Sequence, residues 1–180
     1  MNRTVSIARF RAEEATDTFL SELKELVGQA FGSKFSNDDW RHGLGGVHIA
    51  VRDSGLLVAH AAIVPRRLYM GEKQFNCGYV ETVATLPDRQ CQGLGSMAML
   101  EANSVIASQF EIGALSSSSK DFYRRFGWED WQGPSYVLTN GKWVRSPSED
   151  DGIMVLRVGS TSKLNLESRI ACEERLGESW

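Results

Sequence analysis

The chain has 180 residues with 20 Lys+Arg against 23 Asp+Glu, a net charge of −3, which is the length of one domain. Hydrophobic residues make up 42% and charged residues 24%, ordinary globular usage that excludes a disordered or collagen-like chain. The acidic balance lacks the broad positive field that drives nucleic-acid binding, and it favours a cationic small molecule as partner. No run of about 18 apolar residues could span a bilayer. The first residues lack the apolar stretch of a signal peptide, so a cytoplasmic protein without membrane partner is expected. Cys77, Cys91 and Cys172 lie far apart, and His42, His48 and His60 are too scattered to read as ligands, so no metal is implied. The alternation around His48 and His60 is that of strand-borne histidines.

Val5 to Phe10 alternates weakly. Phe19, Leu20, Leu23, Leu26, Val27, Ala30 and Phe31 then recur at helical spacing, predicting an amphipathic helix that Gly32 stops. Ser36 to Asp39 offers caps for a short second helix carrying Trp40, before the Gly45-Gly46 break. Val47 to Val51 and Leu56 to Val64 read as two strands joined by an Asp53-Ser54-Gly55 hairpin turn. Arg67 to Met70 and Gln74 to Leu86 read as further strands around Gly71-Glu72-Lys73, the second ending at Pro87. Gly95 to Phe110 is a helix with apolar spacing at Met97, Leu100 and Ile106. Ile112 to Leu115 is a short strand, followed by a serine tract and a helix from Lys120 to Phe126 that Gly127 ends. Tyr136 to Leu138 and Trp143-Val144 flank the hairpin signal Asn140-Gly141, and Ile153 to Val158 reads as another strand. No internal repeat or linker occurs, and Ser146 to Asp151 is a loop, so residues 1–180 are expected to form a single domain.

The segment Gln90-Cys91-Gln92-Gly93-Leu94-Gly95-Ser96 lies between a strand and a helix. Its glycines let backbone amides approach a ligand, and the helix start adds unpaired N–H donors at the positive end of the dipole. A phosphate-binding turn and a plain strand-to-helix break both fit. A P-loop is excluded, because no Lys-Ser/Thr follows the second glycine, and a dinucleotide fingerprint has Ala98 where its third glycine would stand.

Gln90-x-x-Gly93-x-Gly95 after an extended strand, then a long helix, a short strand and a helix bearing Tyr123, resembles the acyl-CoA signature of the GNAT N-acetyltransferases. Asp38-Asp39-Trp40-Arg41-His42-Gly43-Leu44-Gly45-Gly46-Val47-His48, Ala59-His60-Ala61-Ala62, Cys77-Gly78-Tyr79-Val80-Glu81, Ala114-Leu115-Ser116-Ser117 and Trp180 resemble the aminoglycoside 2'-N-acetyltransferases, over most of the chain from about Phe31 onward. The resemblance implies an α+β GNAT acyl-CoA N-acyltransferase fold: a mixed, mostly antiparallel sheet splayed at the cofactor site, with flanking helices.

It further implies acetyl-CoA as cosubstrate. The pantetheine arm would bond the backbone of Val83, Ala84 and Thr85, the pyrophosphate would rest on Gln90, Cys91, Gln92, Gly93, Leu94, Gly95 and Ser96, and Ser117 and Tyr123 would lie at the cofactor. Lys120, Arg124 and Arg125 either meet phosphate or form a solvated helix face. The reaction needs a base, an amide donor and an acid. The resemblance assigns these to Glu81, the Val83 N–H and Tyr123. Lys34, Asp39, Glu81, Thr82, Ser116, Asp150, Asp151, Glu178 and the α-carboxylate of Trp180 would meet the acceptor, an aminoglycoside antibiotic modified at its 2'-amine, with resistance as the outcome. Two departures stand out. The loop from Ser116 to Tyr123 is shorter than in the family, leaving open which serine touches pantetheine. Lys34 replaces a frequent carboxylate, which disfavours a deoxystreptamine-type polycation and favours kasugamycin, whose carboxylate a lysine can pair; an exposed lysine with no role is the other reading. A homodimer is expected from the relatives. A GNAT enzyme acting on a polyamine or protein N-terminus, and a non-catalytic acyl-CoA-binding module, are the alternatives.

Overall fold

A computed structural model describes residues 4–180. They form two compact units, one from the described residues up to Val64 together with Val80–Ala102, the other from Pro65–Tyr79 and Asn103–Trp180.

In the first unit, β1 (Val5–Arg11), β2 (Val47–Asp53) and β3 (Leu56–Met70) pair antiparallel, from Val5↔Asp53 to Arg11↔Val47 and from Val47↔Ile63 to Asp53↔Leu56. The β2–β3 turn works because Ser54 and Gly55 both take positive φ, 53° and 90°, the geometry that matches strand twist. α1 (Asp17–Phe31) starts at Thr16, whose hydroxyl accepts from the Phe19 N–H at 3.1 Å, and ends at Gly32, φ 59°. Its buried face is Phe19, Leu23, Leu26 and Val27, each such side chain stabilising by about 1.5–3 kcal/mol. α2 (Asn37–Gly43) is set by a capping box, with Asp39 N–H to Ser36 Oγ at 3.1 Å and Ser36 N–H to Asp39 Oδ2 at 2.8 Å. The turn after α2 requires glycine at 46: its φ is 87°, and a Cβ there would lie 2.0 Å from the Ile63 carbonyl oxygen.

β3 continues through Pro65 as one strand of 15 residues, where the sequence reads a break; β4 (Lys73–Thr85) follows. Beyond it comes α3 (Leu94–Gln109). Its buried residues are Leu94, Ala98, Met99 and Ala102 in the first unit and Val105 and Ile106 in the second. Leu100, expected on the apolar face, is 59% exposed.

In the second unit, β5 (Ile112–Ser116) runs parallel to β4 and antiparallel to β9 (Ile153–Arg157), which also pairs β6 (Glu129–Asp130). β7 (Ser135–Thr139) and β8 (Lys142–Arg145) form the hairpin over Asn140-Gly141, with φ 50° and 75°. β10 (Ile170–Glu173), parallel to β7 and antiparallel to β3, is absent from the sequence reading. α4 spans only Lys120–Arg124 of the expected helix, and a turn continues to Gly127, φ 85°. This unit's core joins Leu68, Tyr79, Ile112, Trp131, Val155, Ile170 and Trp180.

Candidate active site

β4 pairs with β5 over Cys77↔Ile112, Gly78↔Gly113 and Tyr79↔Ala114, and the pairing stops there among the described residues. Within the first unit, the rest of β4 carries a break in extended geometry. Thr82 has φ 51°, a left-handed conformation that costs a β-branched residue roughly 1–2 kcal/mol. Two contacts hold it. Its carbonyl oxygen accepts from His60 Nδ1 at 2.9 Å, and its Oγ1 occupies the space beside Gly43, where a Cβ would come within 1.9 Å. Glu81 and Val83, half-buried, flank this residue. Because the peptide bonds are trans, the Thr82 carbonyl and the Val83 N–H point to opposite sides of the strand. One end of that peptide faces His60, and the other is turned away from it.

His60 is itself paired. Its Nε2 lies 3.0 Å from His48 Nδ1, and His48 Nε2 lies 3.2 Å from the Leu44 carbonyl. Both rings have no exposed surface and sit among Phe10 and Phe19. Burial lowers both pKa values; for His60 burial, then the neighbouring His48, pushes it down to about 3.

After β4, Leu86 N–H reaches the Val58 carbonyl at 3.0 Å, and Arg89 pairs with Asp53 at 3.2 Å, anchoring the turn that follows. In that turn Cys91 and Gly93 take φ 59° and 81°, and nothing lies within 4 Å of the place a Gly93 Cβ would occupy. The helical ladder begins with Met97 N–H to the Gly93 carbonyl at 3.0 Å, so the N–H groups of Leu94, Gly95 and Ser96 have no partner further back in the helix. An open, glycine-lined cradle of backbone donors at a 16-residue helix start fits a pyrophosphate.

In the second unit, Tyr123 is 8% exposed, and burial pushes its phenol up to about 12 despite a hydrogen bond with Ser117. Its ring stands edge-on to Phe122 and Trp128. Trp128 is fixed by Nε1 donating to Asn103 Oδ1 at 3.0 Å, and Asn103 Nδ2 donates to the Phe126 carbonyl at 2.9 Å. Ser117 Oγ accepts from the Ser119 N–H at 3.0 Å, and Ser117 N–H bonds the Gly152 carbonyl at 2.9 Å. The tail is tied down by Arg66, donating to the Ser179 carbonyl at 2.7 Å, and by Trp180 Nε1 donating to Ser146 Oγ at 3.3 Å.

A family model described as "Acetyltransferase (GNAT) domain" matches residues 11–130. The chain is 39% identical over 161 residues to the aminoglycoside 2'-N-acetyltransferase of Mycolicibacterium fortuitum, covering 87% of this chain and 83% of that protein.

The chain belongs to the GNAT acetyltransferase family.

Its fold is the GNAT acyltransferase fold, an α+β arrangement with a mixed sheet. The GNAT family N-acetyltransferase YhbS from Escherichia coli, solved with CoA, superposes with a TM-score of 0.67 at 14% identity, over 97% of this chain and 93% of that one. A Brucella melitensis GNAT acetyltransferase solved with acetyl-CoA gives 0.60 at 16% identity, covering 92% and 95%. A longer probable N-acyltransferase from Enterococcus faecalis gives 0.60 at 20% identity, and this chain, matched over 74%, spans about a third of its length, 33%. As a family member the chain is an acetyl-CoA-dependent N-acetyltransferase.

The acetyltransferase's sequence-read residues fall into groups. The first unit brings Glu81, Thr82, Val83, Ala84 and Thr85 onto one strand end, and Gln90, Cys91, Gln92, Gly93, Leu94, Gly95 and Ser96 onto one turn and helix start. It also carries Asp39, whose carboxylate closes the α2 capping box, and exposed Lys34. The second unit carries Ser116, Ser117 and Tyr123, with Asp151 and Glu178 exposed and Trp180 buried. Asp150 has a structural engagement the sequence did not reveal: its carboxylate accepts from Ser135 N–H and Oγ at 2.9 and 2.8 Å and from both Arg145 terminal nitrogens. The Arg145 hydrogen bonds hold it down to about 2. Arg124, a candidate phosphate contact, is ion-paired with Asp121 and Asp130. The His48–His60 pair was missed as a unit. Its only sequence signal is one polar residue inside each of two apolar runs, Val47 to Val51 and Leu57 to Ile63.

Proposed function

We propose that this enzyme transfers acetyl from acetyl-CoA to the 2'-amine of an aminoglycoside antibiotic. The observation that carries this is the left-handed Thr82 within β4, which sets Glu81 and the Val83 N–H on either side of a kink, joined to 39% identity with an aminoglycoside 2'-N-acetyltransferase over most of the chain.

When bound, acetyl-CoA supplies the acyl thioester and the departing thiol. The backbone N–H groups of Gln92 to Ser96 hold its pyrophosphate, and the backbone of Val83, Ala84 and Thr85 pairs with its pantetheine arm. Glu81 binds the acceptor amine and takes its proton through a water. The Val83 N–H donates to the thioester oxygen as negative charge grows there. Tyr123 donates its hydroxyl proton to the sulfur. With the phenol held at about 12 and a free thiol near about 8.5, that transfer is uphill unless the two are closely positioned. Asp39, Thr82, Ser116, Asp151, Glu178 and Trp180 face the acceptor's ammonium groups, and Asp150 acts by fixing the Ser135–Arg145 corner beside Asp151.

Kasugamycin is the preferred acceptor in this reading, because Lys34 offers a cation for its carboxylate. Antibiotic resistance follows from the modification, and the enzyme works in the cytoplasm as a homodimer. The test is a panel of aminoglycosides with acetyl-CoA, with thiol release followed and mass spectrometry locating the added group. Acetylation at the 2'-nitrogen supports the reading; turnover confined to polyamines or peptide N-termini, or CoA binding with no turnover, overturns it.

A further inference from the structure

The four ring nitrogens of His48 and His60 form one line between two carbonyl oxygens: Leu44 O, His48 Nε2, His48 Nδ1, His60 Nε2, His60 Nδ1, Thr82 O, with gaps of 3.2, 3.0 and 2.9 Å across the three non-covalent steps. A carbonyl only accepts, so His48 Nε2 and His60 Nδ1 must each carry hydrogen. Two neutral imidazoles have no hydrogen left for the middle step, where lone pair would then face lone pair at 3.0 Å. The line is complete only with three protons on the two rings.

We propose that His48 and His60 are a dyad sharing one extra proton, and that this buried charge polarises the Thr82–Val83 peptide so that the Val83 N–H becomes a stronger donor to the thioester oxygen. The second half rests on the function proposed above. The peptide group conducts the effect: a donor on its carbonyl oxygen draws electron density from its nitrogen and makes its N–H more acidic, as in any chain of cooperative hydrogen bonds. The trans geometry aims that N–H away from the dyad.

The surroundings suit one charge and exclude two. Burial opposes charge on either ring, and a charge on His48 opposes one on His60, so a second charge is excluded and the single charge has to be held against burial by the hydrogen bonds at both ends and the middle of the line. The single charge is answered by two carbonyls, a charge-assisted N–H···N bond and the face of Phe10, stacked on His48 at 5.6 Å. The elements packed around the pair present Phe10 from β1 and Phe19 from α1. Of the charged groups on β1, α1 and β2, Arg9 pairs with Glu101, Glu22 with Arg52 and Asp53 with Arg89, and Arg11, Asp17, Lys24 and Glu25 are the others on β1 and α1. On α2 stand Asp38, Asp39, Arg41 and His42, with Asp39 bonded to Ser36 and Arg41 to Asp38. On β4 Glu81 is next to Thr82, and its carboxylate is the titratable group nearest in sequence to the polarised peptide.

The experiment is ring-nitrogen NMR on the full chain labelled with 15N-histidine, with the His42 signals identified by their loss in His42→Gln. At pH 7 the dyad should show three solvent-protected ring N–H groups; one per ring overturns the shared proton. His60→Asn keeps a neutral donor near the Nδ1 position and removes the charge. It should move the Val83 amide proton upfield and lower kcat about tenfold while leaving the acetyl-CoA KM within about twofold, the split expected of a weakened oxyanion donor rather than a damaged binding site. An unmoved Val83 shift or an unchanged kcat overturns the polarising role. A chain that acetylates no aminoglycoside defeats the function proposed above, whereas the proton count and the Val83 shift are read without substrate and judge the dyad separately.

Discussion

Gly43 and Thr82 occupy adjoining space, and the hydroxyl of Thr82 stands 1.9 Å from the point where a Cβ on Gly43 would sit. The end of α2 and the kink of β4 are thereby locked by one missing side chain. Gly43→Ala must displace a β-branched residue already held in a left-handed conformation. It should destabilise the protein by about 1–3 kcal/mol, the usual cost of overpacking. Denaturant unfolding measures this. Thr82→Gly, which removes the obstructing atoms and the left-handed strain together, should recover most of the loss in the double variant, because the two positions are in contact. Additive losses would show that the contact is not what fails.

Tyr123→Phe should lower kcat by roughly 10²-fold or more while acetyl-CoA binding changes little, as expected for a group that acts on the proton of the leaving sulfur. Burial raises the wild-type phenol to about 12, so rates should show no downward limb from its ionisation below about pH 10. Steady-state kinetics from pH 6 to about 10 read both.

Glu81→Gln removes the base and keeps the shape. The expected result is a loss of about 10²–10⁴ in kcat/KM for the acceptor with acetyl-CoA affinity unchanged by calorimetry. A matching loss of acetyl-CoA binding would assign Glu81 to folding instead.

Asp150 has its folded pKa lowered from an ordinary 3.8 to about 2, chiefly by Arg145. Its contribution to stability is therefore complete above about pH 4 and is lost as pH falls through about 2. The pair is partly exposed, with 31% of the Asp150 side chain accessible, so screening limits the effect to about 1 kcal/mol. Thermal unfolding against pH should show a shallower acid limb for Asp150→Asn than for the wild type.

Lys34→Asp should reduce use of kasugamycin relative to gentamicin-type acceptors, since it exchanges a cation for an anion at an exposed position. The ratio of kcat/KM for the two drugs is the measurement, and equal changes for both would dismiss a role for Lys34 in choosing between them.

Local chemistry was readable directly from the chain wherever it acts within a few residues. Ser36 caps a helix, Gly32 stops one, Asp53-Ser54-Gly55 and Asn140-Gly141 turn hairpins, and the Gly93 turn precedes a helix, because these depend on neighbouring backbone geometry alone. Glu81, Val83 and Tyr123 were put forward by the resemblance to the GNAT N-acetyltransferases.

What the chain alone could not reveal are meetings between residues far apart in sequence. β10 is four residues long, too short for a period to register, and is made a strand only by β3 and β7 on its two sides. Leu56 to Val64 and Arg67 to Met70 read as separate strands, yet β3 runs through both as one. His48 and His60 look like two unrelated polar residues on separate strands. The β2–β3 register, with His48 opposite Ala62 and His60 opposite Ala50, brings His48 Nδ1 to 3.0 Å from His60 Nε2, and His60 Nδ1 to the Thr82 carbonyl. Asp150 likewise looks like one of several loop carboxylates until Ser135 and Arg145 close on it. Propensity and capping are energies between near neighbours, whereas strand register and buried proton sharing arise only after the chain has returned on itself.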